Sequence, residues 1–298
     1  MEKQATLVLA AGSLGDALLT LPALRLLESR SEVTVAGTAP YQSLGADLLG
    51  IHHVVPLDPL LQTLLSSSPL DSKNQEFLKQ FRDIHLFFKE KDAALLEKLA
   101  VLSGAQVHCP AKPFAEFLKE ARWAAEYWLE AAFACPLAPD SPFRQAKLQI
   151  DGALRQRGAF ILNSLAAASP LVIHPGSGSP AKNAPLSFFR SAAERAAKES
   201  ARQVLVVWGE AEQQNLSSLK EAFAGIPQVK VLPEILPLKD LAAVFSQSSA
   251  YLGNDSGVTQ FASACGLRTF AVFNTTDARI WGPQADFILL SMLNGNWH

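Results

Sequence analysis

Short runs of β-branched and other apolar residues alternate along this chain with longer segments that carry apolar residues at helical spacing. Such alternation favours parallel sheets whose strands are joined by crossover helices. In the first half we predict strands at Thr6–Ala10, Glu32–Ala36, His53–Val55, Ile84–Phe87 and Ala105–His108. In the second half we predict strands at Leu171–His174, Val204–Trp208, Val229–Leu232, Ala250–Leu252 and Thr269–Phe273.

Helices are predicted between these strands. The leucines between Asp16 and Glu28 predict one helix with a broad buried face, and Pro22 lies in its early turns, where a missing N–H is tolerated. A helical region from Phe114 to Phe133 and a Pro-rich turn at Cys135–Pro142 separate the two series of strands. Further helices are predicted in the second series at Ser187–Glu199, Glu212–Phe223 and Leu238–Ser246.

The length of 298 residues exceeds that of one typical domain. We therefore predict an α/β protein of two Rossmann-like, doubly wound domains, residues 1–150 and residues 151–298, with the boundary between Pro136 and Pro170. Doubly wound domains bind ligands beyond the carboxyl ends of their strands. We accordingly expect a ligand in a central cleft that the two domains face.

The composition, with 49% hydrophobic and 18% charged residues, is typical of a well-filled globular core. The formal net charge of -2 argues against nucleic acid as a partner. Cys109, Cys135 and Cys265 form no CxxC pair, so neither a zinc site nor a disulfide framework is predicted. Because we find no signal-peptide pattern and no run of roughly 18 apolar residues, we expect a cytoplasmic protein.

A glycine-bearing turn, Gly12-Ser13-Leu14-Gly15-Asp16, follows the first predicted strand. Glycines let the backbone approach a ligand closely, and the start of a helix favours negative charge. The helix dipole would keep the Asp16 carboxylate ionised, as a general base for a hydroxyl must be. The alternative interpretation is that Asp16 only caps the helix.

A Gly/Ser loop, PGSGSPAKN at 175–183, follows the first strand of the second series. Ser177 and Gly178 offer hydroxyl and N–H groups, and Lys182 offers a point charge to a phosphate. The spacing is not that of a Walker loop. The alternative is a solvated linker with an ordinary surface lysine. We expect His174 to be structural and to bind no metal.

A polar turn follows the strand predicted at Ala250–Leu252 and precedes a helix of small residues. The first N–H groups of this helix, at Ser256, Gly257 and Val258, would suit a diphosphate. Asp255 would repel a diphosphate at close range and is better suited to sugar hydroxyls. In the alternative interpretation, Asn254 and Asp255 merely cap the helix. Two hydroxyls after the last predicted strand would lie beside this turn, at Thr275 and Thr276.

Four segments together resemble glycosyltransferase family 9, the ADP-heptose:lipopolysaccharide heptosyltransferases. They are GSLGDALLTLPALRLL at Gly12–Leu27, HPGSGSPAKNAPLSFF at His174–Phe189, VVWGEAEQ at Val206–Gln213, and the segment Gly253–Pro283. The resemblance covers the front of the first half and most of the second half. It departs from the family at two positions: Ala184 stands before Pro185 in place of Trp, and Gln260 stands in place of His.

The resemblance implies a GT-B fold and an inverting, metal-independent transfer of a sugar, by family default a heptose from ADP-heptose in lipopolysaccharide core synthesis. Asp16 matches the family's base for the acceptor hydroxyl. Lys182 would pair with the donor diphosphate, and Asp255 would contact the donor sugar. The other implied site residues are Ser13, Leu14 and Gly15 on the acceptor side, and Ser177, Gly178, Glu212, Ser256, Gly257, Val258, Thr275 and Thr276 on the donor side.

The implied partners are a nucleotide-sugar donor and a glycolipid or saccharide acceptor, with no cofactor and with peripheral contact to the inner membrane. Two alternatives stay open. One is a sugar-nucleotide epimerase or hydrolase of the same architecture. The other is a non-catalytic nucleotide-sugar-binding protein derived from a transferase, suggested by Ala184, by Gln260 and by the end of the sequence soon after Pro283. A nicotinamide dehydrogenase is disfavoured because GSLGDA departs from GxGxxG.

Overall fold

The computed structural model describes residues 5–65, 71–133, 146–200, 202–283, 287–290, 292–293 and 296–297. The chain divides into two compact units, Met1–Ala146 and Lys147–His298, close to the predicted boundary. The Pro-rich turn predicted at Cys135–Pro142 lies outside the described residues. Within the described ranges, no helix combines the length and the apolar character needed to cross a membrane.

The first unit is built on a parallel five-stranded sheet. Its strands are β1 (Ala5–Ala10), β2 (Glu32–Gly37), β3 (His53–Pro56), β4 (Asp83–Phe87) and β5 (Gln106–His108). The order in the sheet is β3-β2-β1-β4-β5, so the first strand is central and the chain winds outward from it in both directions. In register, Ala10 at the end of β1 lies opposite both Gly37 of β2 and Phe87 of β4.

Helices connect these strands. Leu7 and Leu9 of β1 and Ile84 and Leu86 of β4 belong to one buried cluster with leucines of the helices between β3 and β5. Apolar side chains at alternate strand positions thus cover this face of the sheet. The helices of the first unit are α1 (Leu14–Leu19), α2 (Leu21–Glu28), α3 (Ala39–Leu49), α4 (Asp58–Leu65), α5 (Ser72–Lys79), α6 (Ala93–Ser103), α7 (Phe114–Leu118) and α8 (Ala125–Phe133).

The second unit contains a parallel six-stranded sheet of the order β11-β10-β9-β6-β7-β8. Its first strand, β6, again lies inside the sheet, between β7 and β9. The strands are β6 (Leu171–His174), β7 (Val204–Val206), β8 (Val229–Val231), β9 (Ala250–Asn254), β10 (Thr269–Val272) and β11 (Phe287–Leu290), and a separate antiparallel pair is formed by β12 (Met292–Leu293) and β13 (Asn296–Trp297).

In the ranges that the structure describes, six helices accompany this sheet, together with two short 3₁₀ segments at Pro180–Lys182 and Glu210–Asn215. Those six helices are α9 (Gly152–Ser164), α10 (Leu186–Ser200), α11 (Leu216–Ala222), α12 (Leu238–Ser246), α13 (Gly257–Ala264) and α14 (Ala278–Trp281). The two predicted series of strands, and their parallel pairing, are therefore present.

Two helix predictions were wrong in detail. The single helix predicted from Asp16 to Glu28 is divided at Thr20, because Pro22 lies in the first turn of α2 and favours a new helix start there. The helix predicted at Glu212–Phe223 begins instead as a 3₁₀ segment and becomes α-helical only at Leu216. The helical region predicted from Phe114 to Phe133 is present as two helices, α7 and α8.

Helices α9 and α12 pack closely because a glycine lies at their contact. A Cβ atom added at Gly158 would overlap the backbone carbonyl oxygen of Ala243. Gly158 is buried, whereas Gly152, at the start of the same helix, is exposed and would have nothing within 4 Å of an added Cβ. The absence of a side chain at Gly158 therefore sets the distance between the two helices.

We expect Gly158→Ala to destabilise the second unit. Alanine is better than glycine in a helix by up to about 1 kcal/mol, but overpacking of a tight contact costs about 1–3 kcal/mol. The net effect should be a loss of about 1–2 kcal/mol, measured by urea unfolding. Gly152→Ala on the same helix is the matched control and should leave stability unchanged or raise it by up to about 1 kcal/mol. Equal stability of the two variants would show that the α9–α12 contact is not tight.

Candidate active site

The strand order places one crevice at the carboxyl edge of each sheet. In the first unit the chain runs from β1 to β2 on one side and from β4 to β5 on the other side. In the second unit it runs from β6 to β7 on one side and from β9 to β10 on the other side. Loops that leave two neighbouring strands in opposite directions open a gap between them, where doubly wound domains bind ligands. The motifs after β1, β6 and β9 therefore lie at these two positions.

Asp16 is the third residue of α1 and is held by the residue that caps this helix. Ser13 is the N-cap, and its backbone N–H and its hydroxyl donate to Asp16 Oδ2 at 3.0 Å and 2.9 Å. Ser13, not Asp16, is thus the N-cap, but Asp16 completes a capping box with it, so the alternative that Asp16 serves the helix start is not contradicted. Leu14 and Gly15 form the first turn of α1 and are half-buried.

Gly12 makes room for the Asp16 side chain. Gly12 has φ +146°, which L residues rarely adopt, and an added Cβ would lie 2.5 Å from the Cβ of Asp16. The backbone carbonyl of Gly12 also accepts a hydrogen bond from the hydroxyl of Thr38, at 3.1 Å. The turn is thus fixed so that the Asp16 carboxylate lies against its backbone.

Lys89 is a site residue that the sequence analysis missed. It follows β4 by two residues, and its Nζ lies 2.8 Å from Asp16 Oδ1. The Asp16 side chain is 14% exposed and the Lys89 side chain 42% exposed. The sequence contains a signal for it, a lysine directly after a buried strand, but only the pairing of β4 with β1 brings it to Asp16.

In the second unit, Lys182 and Asp255 form the corresponding ion pair. Lys182 Nζ lies 2.7 Å from Asp255 Oδ2, and the Thr276 hydroxyl donates to the same oxygen at 2.6 Å. The Asp255 side chain is buried and the Lys182 side chain is partly exposed. The structure thus brings together Lys182, Asp255 and Thr276, three of the predicted donor-side residues. Two other predicted donor-side residues, Gly178 and Thr275, are exposed.

A buried asparagine, whose role the sequence analysis also missed, joins the two loops at this crevice. Asn254 Nδ2 donates to the carbonyl of Pro175 at 2.7 Å, and its Oδ1 accepts from the N–H of Ala184 at 2.9 Å. The Ser177 hydroxyl lies 2.6 Å from Asn183 Oδ1, within the loop after β6. Asn254 therefore does not cap α13 but holds the Lys182 loop against β9.

The N-terminus of α13 lies directly after Asp255. Ser256 is its N-cap, and the Ser256 hydroxyl accepts from the N–H of Thr259 at 3.3 Å. The alternative caps, Asn254 and Asp255, are therefore wrong. The N–H groups of Gly257 and Val258 are in the first turn, where the helix itself offers no acceptor. This is the polar environment that an anion prefers.

Glu212 is paired with His174, which ends β6. His174 Nε2 lies 3.3 Å from Glu212 Oε2, and the N–H of Gly209 donates to the same oxygen at 2.8 Å. Burial raises the pKa of Glu212, but the hydrogen bond and charge of His174, with backbone N–H groups, outweigh burial and lower it overall. An added Cβ at Gly176 would overlap this carboxylate, so glycine is required beside it.

Metal ligands do not cluster in the part of the chain that the structure describes. In those ranges, no group of three or more His, Cys, Asp or Glu residues could hold a metal ion. The charged groups at the two crevices are the lysines and carboxylates described above.

A family comparison decides the class of this protein. The model of glycosyltransferase family 9 (heptosyltransferase) matches residues 131–294, more than half of the chain. The chain belongs to glycosyltransferase family 9. It is therefore a glycosyltransferase, and its two parallel-sheet α/β units are those of the GT-B type fold. Among curated proteins, none matches the sequence significantly.

Solved structures of other family 9 enzymes share the fold. A family 9 glycosyl transferase from Veillonella parvula is 16% identical, with 99% of this chain and 88% of that chain covered and a TM-score of 0.72. The E. coli ADP-heptose lipopolysaccharide heptosyltransferase II is 14% identical, with 99% of this chain and 92% of that chain covered and a TM-score of 0.73. E. coli heptosyltransferase WaaC with ADP is 18% identical, with 98% of this chain and 94% of that chain covered and a TM-score of 0.66.

The Glu212–His174 pair predicts a pH dependence of stability. The pKa of Glu212 in the folded enzyme lies below its ordinary value of 4.5, so the pair stabilises the fold above pH 4.5 and this contribution is lost as the pH falls through the folded pKa. We expect Glu212→Gln to lower Tm by about 2–4 °C at pH 7. The difference should shrink below pH 4.5, as measured by thermal unfolding across pH.

Glu221→Gln, an exposed change on α11, is the control for this series and should leave Tm unchanged at every pH. A Glu212→Gln deficit that is as large at pH 3.5 as at pH 7 would contradict the assignment of this pair.

Proposed function

We propose that this family 9 glycosyltransferase transfers a heptose from ADP-heptose to a hydroxyl of a lipopolysaccharide core acceptor, with inversion and without a metal ion or cofactor. The observation that carries the proposal is the complementary chemistry of the two crevices. The first holds a carboxylate, Asp16, that can accept a proton, and the second holds a lysine, Lys182, beside a helix N-terminus that can accept an anion.

The donor class is supported by the second unit and by similar structures. E. coli heptosyltransferase WaaC is known with ADP and with ADP-2-deoxy-2-fluoro heptose. A nucleoside diphosphate carries the negative charge that Lys182 and the first N–H groups of α13 attract. We therefore propose that the diphosphate binds there, within reach of Ser177 and Thr276, and that the paired Glu212 accepts hydrogen bonds from donor hydroxyls.

The proposed reaction is a direct displacement at the anomeric carbon. Asp16 takes the proton of the acceptor hydroxyl while the oxygen of that hydroxyl forms the new bond to the anomeric carbon. The bond from that carbon to the diphosphate oxygen breaks, and the negative charge that develops there is stabilised by Lys182 and by the N–H groups of Gly257 and Val258. Attack opposite to the leaving group inverts the configuration.

The pairing of Lys182 with Asp255 fits this role. A diphosphate that reaches Lys182 replaces one anionic partner by another, so the lysine stays paired. Asp255 keeps its hydrogen bond from Thr276 and gains the hydroxyls of the donor sugar as donors.

The proposed acceptor also fixes the place of action. A lipopolysaccharide core acceptor is a glycolipid anchored in the inner membrane, so the enzyme would act in the cytoplasm, in peripheral contact with that membrane. A saccharide acceptor without a lipid would not require this contact.

We expect Asp16→Asn to lose transfer and to keep nucleotide binding. The amide preserves size but cannot take a proton, and loss of a general base costs about 10²–10⁴-fold in kcat. Asp71→Asn is the control, since Asp71 only caps α5 and Asn caps equally well. Transfer is measured with ADP-heptose and heptose-free lipopolysaccharide, and nucleotide binding by thermal shift with ADP. Normal turnover by Asp16→Asn would contradict the base assignment.

We expect ADP to stabilise the enzyme more than UDP or GDP does in a thermal-shift panel, because a ligand that binds only the folded state raises Tm. Lys182→Met should weaken ADP binding by about 10–100-fold, the value of a hydrogen bond between charged groups. Lys220→Met, which removes an exposed lysine of α11, is the matched control and should bind ADP normally. Stabilisation by UDP or GDP alone would contradict ADP-heptose as donor.

A further inference from the structure

We infer that Lys89 is a positioning residue for the base, because its ammonium lies beside Oδ1, the oxygen of Asp16 that is left to receive the acceptor proton. This inference rests on the proposed role of Asp16. Lys89 stands outside the four segments that resemble the family, and its place beside Asp16 follows only from the pairing of β4 with β1.

The lone pairs of the Asp16 carboxylate can be counted. An ionised carboxylate has about four lone-pair sites, two on each oxygen. The N–H and the hydroxyl of Ser13 both donate to Oδ2, and the Lys89 ammonium lies 2.8 Å from Oδ1 as an ion pair. Among the described residues, no hydrogen-bond donor to Oδ1 is present. Oδ1 is therefore the oxygen left to accept the proton, and the position of the Lys89 ammonium beside it decides which side of Oδ1 stays open.

Lys89 is itself held from two directions. Its backbone carbonyl accepts a hydrogen bond from the N–H of Phe114 at 3.1 Å. Its Nζ lies 5.4 Å from the centroid of the Phe114 ring, within range of a cation–π contact. The start of α7 thus fixes both ends of this lysine, and the ammonium reaches Asp16 from a defined direction.

A merely structural role predicts different behaviour. The Lys89 side chain is 42% exposed, and an ion pair of this exposure contributes little to stability. A positioning role instead predicts a defect in the chemical step with little change in Tm, since a small misplacement of a reacting group costs up to about 100-fold in rate.

The test compares Lys89→Met, Lys89→Arg, Asp16→Asn and the Asp16→Asn/Lys89→Met double variant, with ADP-heptose and heptose-free lipopolysaccharide as probes. Lys89→Met should lower kcat by about 10–100-fold, while the KM for ADP-heptose and the KM for lipopolysaccharide stay within about twofold of the parent. Lys89→Arg should restore most of the lost kcat. The double variant should be no slower than Asp16→Asn, because Lys89 acts through Asp16. Lys91→Met, a neighbouring exposed lysine, should behave as the parent.

Other outcomes overturn the inference. Losses that add in the double variant, with a raised KM for lipopolysaccharide, would make Lys89 an acceptor-binding residue. An unchanged kcat in Lys89→Met would leave it no role in the reaction. Full activity of Asp16→Asn would remove the base of the proposed function, and the inference with it.

A structural readout separates these failures without any acceptor. In a crystal structure of Lys89→Met, the Asp16 carboxylate should be turned about its Cβ–Cγ bond, and in Lys89→Arg it should keep its plane. A turned carboxylate together with an active Asp16→Asn enzyme would show that the geometry is as inferred and that Asp16 is not the base. An unturned carboxylate would show that Ser13 alone positions it.

Discussion

Both candidate sites depend on one constraint, the reversal of strand order beside the first strand of each sheet. Loops that leave two neighbouring parallel strands toward opposite faces cannot cover the edge between those strands. Each unit places a lysine–aspartate pair across this gap, with Lys89 and Asp16 2.8 Å apart and Lys182 and Asp255 2.7 Å apart. The two residues exchange places between the units: the aspartate follows the first strand of the first sheet, whereas the lysine follows the first strand of the second sheet. One architecture thereby presents the same two charges with their positions exchanged.

The energetics of these pairs explain why each carboxylate also accepts hydrogen bonds. An isolated buried carboxylate is costly, and a buried ion pair is tolerated when further hydrogen bonds stabilise its charges. Asp255, whose side chain is 8% exposed, has both Lys182 and the Thr276 hydroxyl on one oxygen, Oδ2. Asn254 then holds the loop that carries Lys182, so that the lysine is presented by a fixed backbone. A site assembled this way has little reorganisation left when charge develops in a reaction.

Local patterns predicted most strands and the main candidate residues of the site. The strand β6 was predicted with its observed bounds, and Asp16, Lys182 and Asp255 could be selected because each follows an apolar run and lies near a helix start. Lys89 could not be selected, because its importance depends on β4 lying beside β1, and the alternation of apolar residues does not encode strand order. The division of the first helix at Thr20 was missed since leucine spacing alone continues across it.

The two departures from the family pattern, Ala184 and Gln260, are buried residues that hydrogen-bond to neighbouring segments of the second unit. Ala184 is buried and its N–H donates to Asn254, a bond that any residue except proline could make. Gln260 is buried too, and its amide donates to the carbonyl of Trp281 and so ties α13 to α14. Neither side chain belongs to the lysine–aspartate pairs. Substitution there can change how the loops are supported while the charged groups stay in place.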